Sequence, residues 1–116
     1  MTIQRSHVGL TLSEVAIHRG TLYLAGQVAD DTTQDIAGQT REVLGHIDRL
    51  LQEAGSDRSR ILMCQIFLPD LADFDAMNAV WNDWVTPGQT PPRATVQAAL
   101  VNPAWRIEVV VTAAQK

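Results

Sequence analysis

The chain has 116 residues, 46% of them hydrophobic and 19% charged, enough for one hydrophobic core and too few for two. Its net charge of −4 denies it the basic footprint that nucleic acid or an anionic membrane surface requires, and no apolar run approaches the ~20 residues of a transmembrane helix. The lone Cys64 rules out an intrachain disulfide and any zinc site built from several cysteines. Together with an N-terminus that lacks the apolar core of a signal peptide, it predicts a cytoplasmic protein of one domain, residues 1–116.

Met1–Gly9 reads as a short edge strand with Ile3 and Val8 as its apolar points. Leu12–His18 and Thr21–Ala25 form a hairpin about Arg19-Gly20, with Leu22 and Leu24 on one side. Gly26, at the end of that strand, either admits a closely approaching backbone or ligand or marks a simple bulge. Asp35–Ala54 is a helix: Ile36, Val43, Leu44, Ile47, Leu50 and Leu51 recur at three- and four-residue spacing, Asp35 or a preceding Thr caps the start, and Gly55 stops it. His46 on this helix is read as a surface or edge residue, no histidine or carboxylate ligand partner being recognised four residues away.

Arg60–Leu68 is a nearly unbroken apolar run, which suits a central strand covered on both faces, with Cys64 as a small buried thiol. Asp70–Trp84 is a second helix, capped by Asp70, with Leu71, Phe74, Met77, Trp81, Trp84 and Val85 on its buried side and Asn78 at the margin. Without a basic groove beside it, this aromatic stripe is core, not a base-stacking platform.

The last stretch holds two alternating runs, Arg93–Leu100 and Arg106–Ala113, separated by Val101-Asn102-Pro103-Ala104 and read as a hairpin. Arg93 and Glu108 both lie on the less apolar side of their strands, an unusual place for opposite charges and the place to expect chemistry. The order βββαβαββ predicts an α+β two-layer sandwich with both helices on one face of a mixed sheet. The other face, bearing Val110 among Ala, Thr and Gln side chains, is suited to packing against another subunit. A tight hairpin about Asn102-Pro103 would set Glu108 opposite roughly residue 97. Arg93 is then too far along, at ~3.3 Å per residue, for a direct pair within the chain. The two are expected to converge across a subunit boundary.

Several segments together carry a family resemblance: LYLAGQ (Leu22–Gln27), Gly38-Gln39-Thr40, Glu53-Ala54-Gly55, Ile66–Asp73 leading to Phe74 and Asn78, PPRATV with Pro92-Arg93, and RIEVVVTAA with Glu108. The chain resembles the RidA/YjgF family of imine deaminases over nearly its whole length. That resemblance implies a six-stranded mixed sheet in a chorismate-mutase-like homotrimer, with three clefts at subunit boundaries. It implies hydrolysis of 2-imino acids and their enamine tautomers to 2-keto acids and ammonia, without metal or organic cofactor. Arg93 would bind the substrate carboxylate and Glu108 would direct water, with Thr95, Gly26, Ala25 and Asn78 lining the site. Leu12, Ala25 and Thr95 stand where members of the family carry Tyr, Ser and Cys, which marks a divergent subgroup. A trimer that binds or senses a keto acid without turnover is the alternative. Ribonuclease or translation-inhibitor activity, attributed to some relatives, sits poorly with the acidic balance.

Overall fold

The computed structural model describes residues 2–116; Met1, the first residue of the predicted edge strand, lies outside them. Strands β1 (Gln4–Val8), β2 (Ser13–His18) and β3 (Thr21–Leu24) form an antiparallel meander. The β2–β3 turn is the expected two-residue one, since His18 pairs with Thr21. Arg19 (φ 53°) and Gly20 (φ 77°) both take the left-handed conformation that matches a tight turn to the twist of the flanking strands. Helix α1 (Ile36–Glu53) follows; Asp35 caps it by accepting from the Gly38 N–H at 2.8 Å, and Gly55 (φ 78°) lies just past its end. Strand β4 (Ile61–Leu68), helix α2 (Phe74–Trp84), β5 (Arg93–Gln97) and β6 (Glu108–Ala114) complete the chain.

The sheet has six strands in the order β1-β2-β3-β6-β4-β5. Here the predicted β5–β6 hairpin is overturned. Neither strand pairs with the other; both pair with β4, β5 in parallel and β6 antiparallel. Residues 98–107 are therefore not a tight turn but a connection that carries the chain past β4. It is tied down by the buried Gln39, which accepts from the Arg106 N–H at 2.9 Å and donates to the Ala104 carbonyl at 3.1 Å, and by the Arg106–Asp73 ion pair at 2.8 Å. Both strands are correspondingly bounded differently from expectation: β5 stops at Gln97, short of Leu100, and β6 begins at Glu108, after Arg106.

This topology explains why both helices share a face. β3 and β4 are both antiparallel to β6, so α1 joins two strands running the same way, as α2 does for the parallel β4 and β5. Both crossovers step across the sheet in the same direction. Right-handed crossovers that do so place their helices on the same side. The core lies beneath them: Val15, Leu22 and Leu24 from the meander, Cys64, Ile66 and Leu68 from β4, and Ile107, Val109, Val111 and Ala113 around β6, against Val43, Leu44, Ile47 and Leu51 of α1 and Met77 and Trp81 of α2.

Two further expectations need correction. β4 is interior but not covered on both faces: Leu62 and Met63 are 50% and 44% exposed, because the helices reach only one side of the sheet. The second helix does not run unbroken from Asp70. Asp70 caps a 3₁₀ turn, Leu71–Asp73, that precedes α2, and this leaves Leu71 half exposed.

Candidate functional site

Arg93 opens β5, an edge strand, in register with Cys64 of β4, whose N–H is bonded to the Pro92 carbonyl at 3.0 Å. Cys64 faces the core, so Arg93 points to the helix side, toward α2. Phe74, Asn78 and Trp81 form one row on that helix at the spacing that aligns side chains on a helix face. An Arg93 Nη1 hydrogen is donated to Asn78 Oδ1 at 2.7 Å. The guanidinium carbon lies 5.1 Å from the centre of the Trp81 ring and 5.8 Å from that of Phe74. Among the described residues Arg93 pairs with no carboxylate.

Cys64 and Thr95 flank this cation. Burial pushes the Cys64 thiol up to about 12, against the opposing pull of the Arg93 charge. It is a neutral thiol at physiological pH, without nucleophilic character. Thr95, two positions along β5 from Arg93 and on the same face, has a buried Oγ1 with no hydrogen-bond partner. An orphaned buried hydroxyl costs about 1–3 kcal/mol relative to a paired one, so this is a group held without a partner inside the chain.

Glu108 lies elsewhere. It stands opposite Phe67 at the start of β6, on the sheet face that the helices leave bare. Its carboxylate approaches the backbone at Gly26: a Cβ added there would fall 2.5 Å from Glu108 Oε2 and 2.8 Å from Cδ. The absent side chain at Gly26 is what lets the carboxylate settle there; what approaches is a side chain, neither the backbone nor the ligand expected at that glycine. Ala25 contributes backbone only: its N–H is donated to the Glu14 carbonyl at 2.9 Å, and its own carbonyl accepts from Gln27 Nε2 at 3.0 Å.

Gln27, not singled out from sequence, fixes this corner. Its side chain is buried and also donates to Glu14 Oε2 at 2.6 Å, while its backbone exchanges hydrogen bonds of 2.8 and 3.0 Å with Val109, next to Glu108. The signal available was its place directly after Gly26 in a strand-ending segment, where a polar side chain turned toward the core needs a partner. A hollow of about 260 Å³ beside Gly26 and Gln27 takes in Glu14, Asp30 and His46. Two other hollows, about 330 and 320 Å³, share Asp48 of α1 and Arg58, which follows that helix, and include none of the predicted site residues.

The predicted residues thus fall into two groups, Arg93-Asn78-Thr95 and Glu108-Gly26-Ala25. Across β4 their registers differ by three residues and their strands by two spacings, roughly 10 Å along and 10 Å across the sheet. The conclusion that they do not pair within the chain holds, although the hairpin register that suggested it does not. Leu12, at the tip of the β1–β2 hairpin, is 54% exposed and belongs to neither group.

His46 requires a correction. A carboxylate does stand four residues before it: His46 Nε2 lies 3.2 Å from Glu42 Oε2 and 3.3 Å from Asp30 Oδ2. Glu42 in turn accepts from the N–H groups of Asp30 and Asp31 and from Gln34 Nε2. Those bonds, the one from the Asp30 N–H foremost, hold its carboxyl below the ordinary range. The trio anchors the loop before α1. Among the described residues no helix is long and apolar enough to cross a membrane.

A protein-family model described as Endoribonuclease L-PSP matches residues 4–115. A RutC family protein of Haemophilus ducreyi is 46% identical over 112 residues, covering 97% of this chain and 96% of that protein. Among solved structures, a member of the YjgF protein family from Neisseria meningitidis is similar with a TM-score of 0.97 at 40% identity, over 100% of this chain and 97% of its own. A Rid-family protein from Yersinia pestis, YyfA, reaches a TM-score of 0.83 at 28% identity, over 92% of this chain and 90% of its own.

Proposed function

The chain belongs to the RidA/YjgF family, and from that membership we propose that it hydrolyses reactive 2-imino acids and their enamine tautomers to 2-keto acids and ammonia. The observation that carries this reading is the condition of Arg93: a cation on an edge strand, held by Asn78 and two aromatic rings, with no carboxylate partner among the described residues. A guanidinium presents a planar fork of N–H donors that matches a carboxylate in bidentate fashion. Every 2-imino acid carries a carboxylate next to the carbon that must react.

Hydrolysis then needs a water molecule delivered to the imine carbon. Addition of water across C=N gives a carbinolamine; transfer of a proton to nitrogen and loss of ammonia leave the keto acid. Glu108 is the group for these proton movements, taking a proton from water and returning it to the departing nitrogen. The neutral Cys64 thiol has no part in them. Thr95 and the backbone at Ala25 and Gly26 line the site in this reading.

Because Arg93 and Glu108 occupy opposite faces in one chain, the site is assembled from two copies in a homotrimer, with a cleft at each subunit boundary. Two features support this assembly: β5 is a free sheet edge, and the helix-free face exposes Tyr23 and Met63, at 52% and 44%, with Val96 of β5 at 47%. The setting is cytoplasmic. The test is a coupled assay in which an amino-acid oxidase generates the imino acid and semicarbazide traps what remains. Wild type should accelerate imine loss and Arg93→Ala should not; equal rates across several amino acids would overturn the proposal.

A second reading, a keto-acid-binding trimer without turnover, draws on the apolar Leu12 and Ala25, which supply no hydroxyl for proton transfer. Turnover by wild type separates the two, and its loss in Glu108→Gln with carboxylate binding intact assigns the proton transfers to Glu108.

A further inference from the structure

An arginine on an edge strand, left to itself, sweeps through many rotamers, and ordering it for a ligand costs conformational entropy. Proteins commonly restrain such a side chain with a carboxylate, but that partner neutralises the charge and occupies the donors a ligand would use. The surroundings of Arg93 restrain it by other means. Its guanidinium lies 5.1 Å from the centre of the Trp81 ring and 5.8 Å from that of Phe74, and among the described residues only one contact, to Asn78 Oδ1, draws on its N–H groups. Attraction between a cation and a ring face engages the flat side of the guanidinium and leaves its edge donors free. Trp81 is itself fixed. It is 5% exposed and packs against Trp84 with ring centres 5.5 Å apart, and Trp84 is pinned by its Nε1 bond to Asp48 at 2.9 Å.

We propose that Trp81, seconded by Phe74, is the positioning residue of the carboxylate site: a rigid aromatic platform that preorganises Arg93 with its charge unneutralised and its donors open. This rests on the carboxylate-anchoring role of Arg93 given above. Preorganisation of this kind acts on affinity, because the ordering cost is met before the ligand arrives. Trp81 touches no reacting atom, so the chemical step is left alone.

The experiment compares full-length wild type, Trp81→Phe, Trp81→Leu, Phe74→Leu and Arg93→Ala. It measures titration with 2-oxobutanoate as a stable carboxylate probe, steady-state imine hydrolysis, and the Arg93 Nε–H resonance in NMR spectra. Trp81→Leu should raise Kd and KM by about tenfold while changing kcat by less than about twofold. Its Arg93 Nε–H signal should lose the ring-current shift, and Trp81→Phe should restore most of both. Phe74→Leu, nearer the margin of the core, should weaken binding about threefold, and it carries the test if Trp81→Leu does not fold. Unchanged affinity in a folded Trp81→Leu or Phe74→Leu, with Arg93→Ala still defective, overturns the platform alone. If Arg93→Ala binds and turns over like wild type, the carboxylate anchor itself fails and the platform with it.

Discussion

Arg93 and Glu108 project from opposite faces of one sheet, because the β4 residues they flank, Cys64 and Phe67, stand an odd number of positions apart. No side-chain rotation brings them together within a chain. Any reaction that uses both must draw them from different copies. Mixing Arg93→Ala with Glu108→Gln, each inactive alone, should therefore regenerate activity after subunit exchange. If each site takes one residue from each of two neighbours, about a quarter of sites in an equal mixture are intact. The oxidase-coupled assay on the mixture reads this directly, and no recovery after demonstrated exchange would exclude a shared site.

Arg93→Lys keeps the charge but not the planar fork, and an ammonium on a flexible stem cannot both stack on Trp81 and meet a carboxylate in two places. Its kcat/KM should fall at least about tenfold, and that of Arg93→Ala about a hundredfold or more, with melting temperatures close to wild type.

Gly26→Ala places a methyl 2.5 Å from Glu108 Oε2. What it meets is the free end of a side chain, so the fold gives easily and the carboxylate moves. Stability should stay within about 1 kcal/mol of wild type, while turnover falls on the order of tenfold or more, as expected when a catalytic group shifts by about an ångström. Calorimetry alongside kinetics distinguishes this from general damage.

Thr95→Val removes the unpartnered Oγ1 and keeps the shape. Without a ligand the variant should be as stable as wild type or more so, by up to about 1 kcal/mol in urea denaturation. If Thr95 serves the site, its affinity for 2-oxobutanoate should nevertheless fall severalfold. A gain in stability together with a loss of binding is the combination that a purely structural threonine would not give.

Cys64 supplies a pH dependence. Its folded-state value, about 12, lies above the ordinary 9.0, so the fold binds that proton more tightly than the unfolded chain does. The stabilisation is complete below pH 9 and is lost as pH rises toward 12. Denaturation measured from pH 8 to 11 should decline more steeply for wild type than for Cys64→Ala. Iodoacetamide should label the native protein at neutral pH far more slowly than the unfolded one.

The elements formed by short-range interactions were legible in the sequence. The α1 stripe and the Arg19-Gly20 turn depend on residues a few positions apart and are found as expected, and of the two kinds of cap offered for α1 the structure takes Asp35. Strand partners were not. Alternation in Arg93–Leu100 and Arg106–Ala113 identifies extended chain but says nothing of which edge it joins, and the proximity of the two runs made a hairpin the natural reading. Only a third strand, β4, with β5 on one edge and β6 on the other, settles their placement. The same holds for the site. Arg93 and Glu108 stood out as charges in apolar alternation, whereas the facts that place them, the Phe74-Asn78-Trp81 row and the approach to Gly26, join parts of the chain that are distant in sequence. Glu42 beside His46 is legible at the i,i+4 spacing of a helix.

The position of β6 has a consequence for how the molecule is made. Among the described residues β3 and β4 are not paired, and β6 alone joins the meander β1-β2-β3 to the pair β4-β5 in the sheet. Until the chain has been produced through Ala114, the two halves of the sheet each present a raw inner edge. A stalled or truncated product ending before Glu108 would expose both edges and the apolar underside of α1 at once. Such a fragment should be drawn to chaperones and proteases, and the sheet is complete only when this keystone strand is inserted.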